Sequence, residues 1–127
     1  MVKYKDKLVV SPKLEIRKSD MHSYGVFAKE DISVGEKLEE CWYLRVLHED
    51  HVHEPVKSYT FRLESNVGPD YAYCLLFGFG SIYNHSKDQK NANAAIILNS
   101  AIDLFVFTAV RNIKKDEEVC IYHDDKT

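Results

Sequence analysis

No apolar run in the sequence approaches the roughly 20 residues that cross a bilayer, and its first segment, MVKYKDKLVV, carries no signal-peptide core followed by small residues. Both absences point to a soluble, intracellular protein without a membrane partner. Cysteine is scarce. Cys41, Cys74 and Cys120 are odd in number and widely spaced, which fits neither a disulfide framework nor a zinc knuckle. They read as reduced, mostly buried thiols, and the nearness of Cys120 to His123 is the one local reason to consider a nucleophile. A basic excess is missing too: 17 Lys and Arg against 20 Asp and Glu leave a net charge of -3. That balance argues against direct nucleic-acid binding, which needs a face that neutralises phosphates, and suits attraction of a basic peptide. No linker, internal repeat or low-complexity segment divides the chain, so residues 1–127 are read as one domain with one modest core.

The apolar residues that remain are mostly aromatic or β-branched, in short runs bounded by Gly, Pro, Asn or Asp, and this predicts a mainly β fold. Leu14 and Ile16 alternate with Glu15 and Arg17 as in a half-buried strand, and Gly25 to Ala28 begins another after a turn at 19–23. Ile32 to Glu36 reads as a turn and Leu38 to Leu47 as a third strand. Tyr59, Phe61 and Leu63 alternate with polar neighbours. Asn93–Leu98 and Leu104–Val110 form a predicted hairpin, and Val119–Tyr122 a last strand. No segment holds a long helical period, although Tyr71 to Phe77 suits a short helix.

Three stretches carry chemistry. The run FGFGSIYNHS at 77–86 is apolar, broken by glycines that let backbone approach a ligand, and ends in Asn84 and His85, whose side chains supply polar contacts. SYGVFAKEDISVGE spans 23–36 and KDEEVCIYHDD spans 115–125. Taken singly, each has an ordinary reading: Tyr24-Gly25 a common turn, Asn84-His85 a polar turn, Tyr59 and Phe61 core residues. Together, in this order and spacing, they resemble the SET domain of protein lysine methyltransferases, in the short stand-alone form of large DNA viruses and bacteria.

The resemblance implies a SET-domain (β-clip-like) fold of several small sheets with a threaded, pseudoknot-like C-terminal segment. It implies S-adenosyl-L-methionine as cofactor and a lysine-bearing protein or peptide, such as a histone-like basic tail, as substrate. In that reading Ser23, Tyr24, Gly25, Asn84 and His85 hold the cofactor, with Ser23 in the slot where the family usually has its first glycine. Tyr59 lines the lysine channel. The C-terminal motif admits two alignments, one placing Tyr122 in the catalytic slot and the other His123, with opposite strand faces toward the cofactor. Small relatives can also assemble as homodimers, and the host nucleus is open to a viral member. The alternative is a SET-like module that binds peptide or cofactor without methyl transfer.

His48, His51 and His53, with acidic residues between them, are of a type that binds Zn²⁺ or Ni²⁺. Three histidines in an irregular loop rarely converge without a rigid scaffold, so no metal site is assigned.

Overall fold

The computed structural model describes residues 2–46, 53–64 and 71–122, which form ten strands and two short 3-10 turns. The first hairpin pairs β1 (Leu14–Lys18) with β2 (Tyr24–Ala28), antiparallel from Leu14 opposite Ala28 to Lys18 opposite Tyr24. The stretch read as one strand over 38–47 is two, β3 (Lys37–Cys41) and β4 (Tyr43–Val46), interrupted at Trp42. The break lets the chain change sheets. β3 pairs with β9 (Leu104–Ala109), whereas β4 joins β6 (Tyr71–Leu76) and β5 (Thr60–Glu64) in a separate antiparallel sheet of order β4-β6-β5.

The short helix expected at 71–77 is therefore strand β6. It lies between two partners, and Tyr73, Cys74 and Leu76 are buried there. Six residues are too few for an isolated helix to hold, so pairing on both edges decides the conformation. The predicted hairpin is present as β8 (Ala94–Asn99) and β9, turning through Asp103, whose φ of +55° is one that Asp tolerates better than most residues. The Tyr43 hydroxyl donates to Asp103 at 2.5 Å and ties this turn to β4.

The larger sheet has the order β1-β2-β10-β8-β9-β3, with β7 (Asn84–His85) also on β10 (Glu118–Tyr122). At Ile121, β10 is flanked on one edge by His85 of β7 and on the other by Ala94 of β8, both parallel to it. Residues 86–93 join those two neighbours, so β10 passes through the loop they form. This is the threaded segment. Backbone bonds close both edges, Ser86 N–H to Ile121 O at 2.8 Å and Asn93 N–H to Cys120 O at 3.0 Å. Val119 and Ile121 are wholly buried with Val26, Leu38 and Phe107, each worth roughly 1.5–3 kcal/mol in burial.

Candidate functional site

The turn between β1 and β2 brings the first motif to the middle of the sheet. Ser19 N–H donates to Ser23 O at 2.9 Å and closes it. Ser23 sits at φ +45°, in the left-handed region that favours glycine, so the chain keeps the backbone geometry of a glycine while carrying a serine. Gly25 serves a different need. A Cβ there would lie 2.1 Å from Glu118 Oε2 and 2.9 Å from Asn84 Nδ2, so only glycine admits both groups.

Asn84 is nearly buried, and its Nδ2 donates to Glu118 Oε2 at 2.7 Å, Tyr24 O at 3.2 Å and His22 O at 3.3 Å. Among the described residues no donor is paired with Asn84 Oδ1, which leaves an open acceptor beside the small cavity that Asn84 lines. Ser19 Oγ donates to the other Glu118 oxygen at 2.7 Å. Glu118 is thus the hub joining the first motif to the second.

At Gly78 and Gly80 the side-chain positions are taken up by protein groups. Gly78, at φ +73°, leaves room for the buried carboxylate of Glu39, which a Cβ would approach to 2.3 Å. The space beside Gly80 is taken by Leu76 and Cys41 Sγ. Glu39 accepts from Phe79 N–H at 2.9 Å and from the Tyr83 hydroxyl at 2.8 Å, anchoring the turn that delivers Asn84. Burial pushes the Glu39 carboxyl above its ordinary range, although these hydrogen bonds and one from Cys41 oppose that rise.

Tyr59 stands between two cavities. An apolar cleft of about 350 Å³ is lined by Ile16, Ser23, Tyr24, Tyr59 and Ile82, and a smaller cavity of mixed lining by His22, Tyr59, Phe61, Asn84 and His85 among others. The cleft's size falls in the range of small-molecule sites, roughly 300–1,000 Å³. It also explains why Ile16, expected on a buried face, is 39% exposed. Tyr59 itself ends a 3-10 turn, Val56–Tyr59, with its ring 6.2 Å from that of His22. His85 is exposed with its ring 5.3 Å from buried Phe61, so Phe61 does act as a core residue.

On β10, Val119 and Ile121 face the core while Glu118, Cys120 and Tyr122 are partly exposed on the other face. Tyr122 therefore shares a face with Glu118, the residue bonded to Asn84. His123 lies outside the described residues, as do His48 and His51; among the described residues no group of three His, Cys, Asp or Glu could hold a metal. Burial and then the charges of Glu118 and Glu117 push the Cys120 thiol up to about 11, which disfavours the thiolate that a nucleophile needs. Ser19, His22, Glu39 and Glu118 were not singled out from sequence.

Comparison with known proteins agrees with this geometry. The SET domain family profile matches residues 23–124. A candidate histone methyltransferase of Plasmodium falciparum superposes with a TM-score of 0.70 at 25% identity, over 92% of this chain and 97% of that one. The methyltransferase domain of human PR domain-containing protein 2 gives 0.67 at 15% identity, over 93% of this chain and 82% of the other, a likeness of fold alone. No curated protein sequence matches the chain significantly.

Proposed function

The chain belongs to the SET domain family, and from that premise we propose that it is an S-adenosylmethionine-dependent protein lysine N-methyltransferase. Methyltransferase chemistry is what its family and structural neighbours support. The observation that carries the finer reading is the convergence of the His22–Gly25 turn, Asn84 and Tyr59 on two adjoining cavities, with Asn84 Oδ1 open as an acceptor.

Those residues fit the cofactor. An amide oxygen suits its amino group, and an apolar cleft beside exposed turn backbone suits its less polar parts. When bound, S-adenosylmethionine supplies a methyl group activated on a sulfonium. The chain's own residues do the remaining work. Asn84, with Ser23 and Tyr24, holds and orients the ligand, and Gly25 admits the groups that fix Asn84. Tyr59 lines the lysine's approach. An apolar aromatic wall disfavours the ammonium form, so the amine arrives neutral and nucleophilic. Tyr122 is assigned the hydroxyl that aligns the amine, on the ground that its strand face is that of Glu118. Alignment of this kind is worth on the order of 10²-fold in rate. A lysine-rich, histone-like tail is the substrate class, in keeping with the net charge of -3.

Calorimetric titration with S-adenosylmethionine and S-adenosylhomocysteine tests the site without a substrate. Stoichiometric binding that disappears in Asn84→Ala is expected. Labelled methyl transfer to a lysine-rich protein should then fall by about 10²-fold or more in Tyr122→Phe and persist in His123→Gln. Absence of binding at millimolar cofactor would reject the enzyme and leave a peptide-binding module.

A further inference from the structure

We propose that Glu118 is a positioning residue: its carboxylate fixes which way round the Asn84 amide sits, so that the site selects a ligand presenting a cationic amino group there and rejects one without it. The inference rests on the cofactor reading above and concerns how that same site chooses its ligand.

The two ends of a carboxamide have nearly the same shape, so an asparagine is oriented by the chemistry of its neighbours. Around Asn84 Nδ2 those neighbours are Glu118 Oε2 at 2.7 Å, Tyr24 O at 3.2 Å and His22 O at 3.3 Å. All three can only accept. Turning the amide over would press Oδ1 against three oxygens and forfeit the short, charge-assisted bond. The NH₂ end is therefore committed to the protein, and Oδ1 is left for the ligand. Its complement must be a donor.

Two of the acceptors are backbone carbonyls that any sequence could offer, whereas the closest and the only charged one is Glu118. The structure invests in holding it. Ser19 Oγ donates to Glu118 Oε1 at 2.7 Å, and the absent side chain of Gly25 leaves the space in which the carboxylate lies. A negative charge directly behind the amide also favours a cation on its far side.

Calorimetry with S-adenosylhomocysteine and its deamino analogue, in which hydrogen replaces the α-amino group, tests this. The wild-type chain should prefer the amino compound by roughly tenfold or more, the worth of one charge-assisted hydrogen bond. In Glu118→Gln the neutral side chain can itself donate to Asn84, which removes the charge and the closest of the three oxygens that oppose a turned amide and leaves only the two longer backbone bonds to hold it. That variant should lose most of the preference while keeping its affinity for the deamino compound, which general disruption of the site would not do. Full retention of the preference in Glu118→Gln would overturn the proposal. Should that variant fail to fold, isotope-labelled wild-type protein decides: the Asn84 Cγ resonance should respond to the amino compound and not to its analogue, and a response confined to the Nδ2 protons counts against the assignment. Wild-type protein that binds neither compound removes the cofactor reading along with this one. Binding without discrimination removes the role of Glu118 alone.

Discussion

Glu39 and Glu40 are neighbours on β3, both about 1% exposed, yet their environments push them in opposite directions. At Glu40, burial alone would raise the carboxyl, but Lys5 at 2.7 Å, Val9 N–H at 2.9 Å and Lys37 at 3.1 Å outweigh it and hold the group at about 2. Glu39, facing the other side, has only neutral donors, Phe79 N–H, the Tyr83 hydroxyl and the Cys41 thiol, and no cation, so burial wins. The linked stabilities differ in sign. Glu40 contributes above its ordinary 4.5, and that contribution is lost as pH falls through about 2. Glu39, whose folded pKa is raised, favours the fold while protonated, and this favour is lost as pH rises through that folded value. Glu39→Gln keeps a donor and an acceptor in place. It should raise stability at neutral pH by about 1 kcal/mol and have little effect in mild acid, whereas Glu39→Leu orphans Phe79 N–H and the Tyr83 hydroxyl and should cost ~2–4 kcal/mol at either pH. Urea unfolding at both pH values separates these outcomes, and a Gln variant less stable than wild type at neutral pH would refute the reading of Glu39.

At the level of elements, β10 is held on one edge by a side chain imitating a strand. Asn93 Nδ2 donates to Glu118 O at 2.9 Å and its Oδ1 accepts from Cys120 N–H at 2.8 Å, so one amide completes the ladder where the crossing loop turns into β8. Asn93→Ala leaves both backbone groups unpaired and should cost ~2–4 kcal/mol, read from urea midpoints, with earlier proteolysis near the C-terminus. An unchanged midpoint would show that water replaces the amide without penalty. Most strands were legible because period-two burial is written in residue type, as at Glu118–Tyr122 and in the β8–β9 hairpin. What sequence could not display is any fact made by distant partners. Trp42 looks like strand, yet the chain changes sheets there; Tyr71–Phe77 reads as a short helix, yet two neighbours pair with Tyr71–Leu76 and make it a strand. The site was legible in part for the same reason. Ser23, Gly25 and Asn84 stand in recognisable local motifs, while Glu118 and Ser19 matter only because 99 residues of separation close to one 2.7 Å bond.

For the whole molecule, the threaded strand makes completion of the fold depend on its last described element. β10 pairs with β2, β7 and β8, and it links the first hairpin to the rest of the larger sheet. Contacts so distant in sequence demand loop closure before they reward it, which predicts slow folding that no early local unit can finish. The other end of the chain is attached differently. Residues 2–11 lie along β3 through the bond from Ser11 N–H to Leu38 O, the bond from Glu40 N–H to Val9 O, and the Lys5–Glu40 pair. They cover an edge, and no strand depends on them for its neighbours. Removing residues 118–127 should therefore abolish cooperative unfolding altogether, whereas removing 1–9 should leave a folded, less stable protein whose acid sensitivity near Glu40 is diminished. Thermal melts followed by near-ultraviolet circular dichroism distinguish the two. A cooperative transition in the chain lacking 118–127 would mean that the loop closes without its thread, and that β10 is an addition to the core instead of its keystone.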